Sequence, residues 1–286
     1  MASKLVISLI EEGQEYQQYL AEEGARAARA AGFAPEVIYS EGNALVQIRR
    51  LFAYVHAPAA DRPVAMLVLP VSGKGGDKLA QNAVDAGIGW VLLNREAPYI
   101  DELRRRAPKV PAFAVTVDHT EVGRVQGRLL RKLLPEGGPV LYVKGPPEAA
   151  SAVSRHAGLE EVLRGSSIDL RIVFGDWTGA SATKAVGKWL GLAPTPVRAI
   201  IAQNDDMAVA ARAALLEAKL ADPGVPVVGC DGLPKVGQRL VRERQMTATV
   251  VIPPPTTLAI DLLGRALRTG EAPPALTRLG VSAFPA

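Results

Sequence analysis

Cysteine is all but missing from this chain: Cys230 stands alone, so no internal disulfide can form and nothing in the composition calls for an oxidising compartment. Histidine is almost as scarce. His56, His119 and His156 lie far apart and fit neither an H-E-x-x-H nor a Cys-His ligand spacing, so no metal site is expected. No run of about 18 apolar residues occurs, which argues against a transmembrane helix and against membrane insertion. Charge of one sign is not in excess either. The formal net charge is +4, the isoelectric point is near 9.2, and the 33 basic residues are spread along the chain. The triplet Arg104-Arg105-Arg106 lies in a polar segment between Tyr99 and Pro108 and reads as a solvated helix face, so a nucleic-acid partner is not indicated.

The signatures of catalysis are equally thin. Ser72-Gly73-Lys74-Gly75-Gly76 follows a strand but lacks both the Walker spacing and the G-x-G-x-x-G pattern, and reads as a glycine-rich turn. No G-x-S-x-G elbow is present, and Cys230, at a strand end, reads as a small apolar filler. Asp205-Asp206 would suit acid/base work as a pair. They open a helix directly after a strand, however, where acids cap orphan N–H groups, so capping is the better reading for at least one. No cofactor is expected, and binding rather than turnover is the expected function. The apolar stretch 5–10 is too short for the core of a secretory signal and ends at Glu11-Glu12, so it reads as a strand. As written, the chain is expected to be cytoplasmic, and periplasmic if a leader has been removed.

What the sequence does contain is a globular composition, 48% apolar and 22% charged, over 286 residues. That length suits two α/β lobes of roughly 100 to 150 residues each. Short apolar runs at 5–10, 37–39, 64–69, 90–93 and 113–117 alternate with helical stretches at 13–31, 44–56 and 78–86, and an irregular polar connection is expected between the last two strands. A second series places strands at 140–143, 170–174, 200–202, 225–228 and 249–252 between helices at 119–133, 149–164, 179–190 and 204–220. Nearly all-apolar strands need cover on both faces, which right-handed crossovers of a parallel sheet supply. The fold class expected is therefore α/β, as two doubly wound parallel-sheet lobes. The first should span 1–117 plus 253–270, and the second 118–252 plus 271–286. In such sheets the loops at the carboxyl ends of the strands surround the ligand site.

Those loops carry a resemblance. Ala202-Gln203-Asn204-Asp205-Asp206-Met207-Ala208 and Val227-Val228-Gly229-Cys230-Asp231-Gly232 match in order and spacing a pair found in the type I periplasmic sugar-binding proteins. Asn94-Arg95, Asp118 with Gly123 and Gly127, and Arg155-His156-Ala157-Gly158-Leu159 extend it over almost the whole chain. The resemblance implies two lobes joined by a hinge, with a small polar ligand, a sugar or polyol, closed into an interlobe cleft. It implies Asn204 and Asp231 as hydrogen-bonding groups for adjacent hydroxyls, and Arg95 and Arg155 as cleft arginines. Trp177 would pack on a sugar face, with Tyr16 as the opposing wall. Asn94 stands where Asp is frequent, and Glu12 lies in a first loop, Glu11-Glu12-Gly13-Gln14-Glu15-Tyr16, where these proteins commonly carry Asn, Pro and paired Phe. Ile252 replaces a common Gln. The implied partners are the ligand and either an ABC transporter permease or a regulator. Two alternatives stay open: the effector domain of a LacI-type regulator without its DNA-binding headpiece, and a Rossmann-like enzyme acting on a small metabolite.

Overall fold

The computed structural model describes residues 2–73, 75–192 and 195–286; Lys74, within the expected glycine-rich turn, lies outside them. In the first half of the chain, strands β1 (Ser3–Leu9), β2 (Phe33–Tyr39), β3 (Ala65–Val68), β4 (Gly89–Leu93) and β5 (Ala112–Val117) alternate with helices α1 (Glu15–Ala30), α2 (Ala44–Val55), α3 (Gly76–Asp85) and α4 (Tyr99–Arg106). Helix α5 (His119–Leu133) then opens a second series. It comprises β6 (Gly138–Lys144), α6 (Ala150–Leu163), β7 (Ile168–Phe174), α7 (Gly179–Leu190), β8 (Ala199–Ala202), α8 (Asp205–Glu217), β9 (Val227–Asp231), α9 (Gly237–Arg242) and β10 (Ala248–Val251). The chain closes with α10 (Pro255–Thr269), β11 (Leu276–Leu279) and β12 (Ser282–Phe284).

Two compact units result, Met1–Val117 with Pro253–Leu279 and Asp118–Ile252 with Gly280–Ala286. Their sheets run β11-β5-β4-β3-β1-β2 and β12-β10-β9-β8-β6-β7, so the order 2-1-3-4-5 occurs twice. Strand alternation explains why each sheet needs helices on both faces. In the first unit Leu5, Ile7, Leu67 and Val91 pack with Leu20, Ala28 and Leu263 on one side, while Val6, Met66 and Trp90 pack with Leu51, Leu79 and Leu103 on the other. The second unit repeats this. Leu141 and Ile200 face Val186 and Leu215, whereas Tyr142 and Ile201 face Leu130 and Leu159. Each fully buried aliphatic side chain of this kind contributes about 1.5–3 kcal/mol.

Three expectations need correction. The tail 271–286 does not belong whole to the second lobe: β11 pairs in parallel with β5, Leu276 opposite Ala114, which places it in the first unit. The second sheet is parallel as expected and gains one edge strand beyond that pattern. Strand β12 runs antiparallel to β10, with Thr249 opposite Phe284. The connection before β5 holds a helix, α4, whose apolar stripe is only Ile100 and Leu103. Its basic triplet is not simply solvated: Arg104 donates to the carbonyls of Ala112 and Pro273 at 3.2 and 2.8 Å, and Arg106 pairs with Asp85 at 2.6 Å.

Side-chain caps start several helices after strand ends. Asn43 accepts from Leu45 N, Asp118 from Glu121 N, Thr178 from Ser181 N and Asn204 from Met207 N. The tightest helix contact is between α5 and α6. A Cβ on Gly123 would stand 1.8 Å from the Arg155 carbonyl oxygen, and one on Gly158 would stand 1.9 Å from that of Thr120.

Candidate functional site

In each sheet the order 2-1-3-4-5 reverses direction between the first and third strands, and in such folds the carboxyl ends beside that point form the binding crevice. Of the side chains expected to bind ligand, Glu12, Asn94, Arg95, Trp177 and Asn204 fall in such loops, Asp231 ends β9, and Tyr16 and Arg155 stand on α1 and α6.

In the first unit, α1 turns its apolar stripe of Leu20, Ala21, Gly24 and Ala28 to the core, and Gln17 extends that stripe at its start. Gln17 Oε1 accepts from the backbone N–H of Ile10 and Glu11 at 2.6 and 3.1 Å, which holds the loop after β1. On that loop Glu12 is exposed, and its carbonyl accepts from Gln18 at 2.8 Å. Tyr16 is half-buried, and its hydroxyl accepts from Asn94 Nδ2 at 3.1 Å, so these two expected residues come together. Asn94 adopts a left-handed φ of 53°. Arg95 lies apart, against Gly73, in a cavity of about 540 Å3 shared with Gln47, Ser72, Asp77 and Tyr99. Gln47 ties the next loop: it donates to Ser8 Oγ and the Leu69 carbonyl, and accepts from Val71 N.

The second unit gathers its residues more closely. Arg155 is 6% exposed; it donates to the Gln203 carbonyl and, through Nε, to His119 at 3.4 Å. Its guanidinium lies 5.6 Å from the centroid of the Trp177 ring, a cation–π distance. Trp177 is half-buried, takes a φ of 76°, and rests against Gly145. Its carbonyl accepts from Asn204 Nδ2 at 2.8 Å. Asn204, capping α8 through its oxygen, is therefore committed at both ends of its amide and keeps one N–H and one lone pair for any further contact. Asp231 closes β9 half-buried, at a φ of 98° that costs a non-glycine residue on the order of 1–3 kcal/mol.

The Asp205-Asp206 pair divides its labour. Neither carboxylate caps its own helix, since Asn204 does so; Asp206 accepts from Gly179 N at 2.6 Å and thus caps α7. Asp205 is 3% exposed and accepts from Gly232 N at 2.9 Å and Thr249 Oγ1 at 2.6 Å. Burial, and then the charge of Asp231, push its carboxyl well above the usual range. Burial likewise raises the Cys230 thiol, which is fully enclosed, in keeping with a filler.

The raised carboxyl has a measurable sign. Unfolded, Asp205 titrates near 3.9. Between that pH and its higher native value the folded state binds more protons, so this group's contribution makes stability fall as pH rises across the window. Asp205→Asn should flatten that fall. Urea midpoints of wild type and variant compared from pH 4 to 8 check it, and parallel curves would sink the assignment.

Sequence reading passed over the buried glutamines. Gln126 donates to the carbonyls of Ala202 and Gly229 at 2.7 and 3.1 Å, joining the end of β8 to the middle of β9. Gln203 accepts from Gly145 N and donates to the Tyr142 hydroxyl and the Ala152 carbonyl. For Gln17, Gln47 and Gln126 a signal did exist, because the first two begin the buried stripe of their helices and the third interrupts it.

The family described as periplasmic binding protein domain matches residues 5–272. The chain belongs to that family. Among its relatives are a xylitol-binding protein of Mycolicibacterium smegmatis, 26% identical over 59% of this chain and 46% of the relative, and a ribose import binding protein of Salmonella typhimurium, 26% identical over 65% and 58%. The chain thus spans about half the length of the curated relatives it matches. The periplasmic binding protein of an arabinose ABC transporter from Shewanella sp. ANA-3, solved with L-arabinofuranose, shares the fold at a TM-score of 0.84 and 21% identity over 99% of this chain and 91% of its own. As a periplasmic binding protein of type I fold, the chain carries the strand-end loops from which such proteins are built.

Proposed function

We propose that this chain is the solute-binding component of a periplasmic uptake system, engaging a small polyhydroxylated ligand, a sugar or polyol, and presenting it to an ABC-type permease. The observation that carries this reading lies in the second unit, where the buried guanidinium of Arg155 on α6 stands 5.6 Å from the indole centroid of Trp177, after β7, and Asp231 ends β9. A planar cation with five donors and a carboxylate acceptor are the groups that adjacent hydroxyls satisfy, and an indole packs on the C–H face of a ring. Tyr16, Asn94, Arg95 and Glu12 are the contacts assigned to the first unit. Binding without turnover follows from this set, because none of these groups is a nucleophile paired with a base.

The test is calorimetric titration with xylitol, myo-inositol, D-ribose and L-arabinose, followed by mass spectrometry of the recovered solute. One of them should bind and return unchanged. Asp231→Ala should weaken that binding by about 1.5–3 kcal/mol, the loss of charge-assisted hydrogen bonds. Unaltered affinity in this variant removes Asp231 from the site, and a chemically altered solute replaces the binding reading with an enzymatic one.

A further inference from the structure

Asp205 stands beneath the site without facing solvent, and the chain makes unusual room for it. A Cβ on Gly229 would lie 2.1 Å from its Oδ1, and one on Gly237 would lie 2.0 Å from its Oδ2, so two glycines of the β9 region leave space that the carboxylate fills. Its oxygens reach two different elements. Oδ2 accepts from the Gly232 amide, directly after Asp231, and Oδ1 accepts from the Thr249 hydroxyl on β10. Asp231, directly before Gly232, takes a left-handed φ that a non-glycine residue adopts only when its surroundings impose it. Gln126 holds Gly229 from the other side, at its carbonyl.

We propose that Asp205 is the positioning residue for Asp231: its carboxylate clamps the Gly232 amide against Thr249 and so fixes the left-handed turn on which the placement of the Asp231 carboxylate depends. The groups that act on Asp205 are Asp231 and the Cys230 backbone from β9 and Thr249 from β10, while Arg155 from α6 acts on the Cys230 thiol. Asp231 is the charged one among those acting on Asp205 directly. Asparagine can keep the clamp, because its oxygen accepts from Gly232 while its NH2 donates to the Thr249 hydroxyl. Alanine cannot. The functional weight of the clamp rests on the reading of Asp231 as a ligand contact; the clamp itself is tested without ligand.

The experiment is hydrogen exchange in the 15N-glycine-labelled protein, with the Gly145 amide, held by Gln203, as an internal reference for overall stability. In Asp205→Ala the Gly232 amide should exchange about tenfold faster or more than in wild type while Gly145 changes by less than about threefold. In Asp205→Asn both should stay within about threefold, whereas Asp205→Leu, which fills the space without an acceptor, should free the Gly232 amide as alanine does. Wild-type Gly232 should also shift with pH where the asparagine variant does not, which carries the test if the alanine variant fails to fold. Equal acceleration of both amides in the alanine variant, or a pH response of Gly232 that survives Asp205→Asn, overturns the proposal. The Asp231→Ala titration fails or succeeds independently, so loss of the ligand assignment and loss of the clamp are separate outcomes.

Discussion

Gly158→Val is expected to destabilise the second unit by about 3 kcal/mol or more, seen as a lowered urea midpoint with little change in slope. Two effects oppose one another. Replacing a mid-helix glycine removes conformational freedom from the unfolded chain; Ala gains up to about 1 kcal/mol this way and β-branched Val less. Against this, even the Cβ would sit 1.9 Å from the Thr120 carbonyl oxygen, a backbone atom that can yield only if α5 and α6 separate. Overpacking of a rigid contact costs about 1–3 kcal/mol and more when backbone must move, and it wins. Separation would also carry Arg155 away from Gln203, because Arg155 stands on the same helix, with Gly123 against its carbonyl. A variant as stable as wild type would mean that the helices are not held at this distance.

Gln203→Leu should cost as much, about 3–5 kcal/mol, for a different reason. Leucine conserves most of the volume, so the loss isolates hydrogen bonding. Three buried groups would be stranded: the Gly145 amide, the Ala152 carbonyl and the Tyr142 hydroxyl. Each unsatisfied buried group costs about 1–3 kcal/mol. Gln203→Ala adds a cavity that water can enter, so its cost should be no larger than that of leucine despite the greater loss of atoms. Thermal or urea unfolding of the pair decides it, and an alanine variant clearly weaker than the leucine one would assign the role of Gln203 to packing.

The elements that sequence reading found are those whose stability comes from burial. Strand β3 is apolar at every position because helices cover both its faces, and that pattern is visible in one dimension. Helix α10 is a buried element that it missed, but the other elements it missed bury little. Strands β11 and β12 are short and half-exposed, ordered by ladders to β5 and β10 that no local pattern encodes, and α4 shows an apolar stripe of only two residues. The site divides in the same way. Strand-end residues such as Asn204 and Asp231 could be named because their order along the chain is distinctive, whereas the partners of Asp205, at Gly232 and Thr249, lie 27 and 44 positions away. Nor could the sequence say that Asn204 spends its amide on a cap and on the Trp177 carbonyl.

The segmentation of the two units bears on biosynthesis. The first sheet receives its last strand, β11, and part of its cover, α10, only after every helix of the second unit has been made. At about 5–20 residues per second, a ribosome that has finished β5 works for on the order of ten seconds before β11 emerges. Through that interval the apolar faces of β4 and β5 that meet Ile260 and Leu263 stay uncovered. The core of the first unit thus cannot close until its last segment is made, while all but the final strand of the second unit can assemble as it leaves the tunnel.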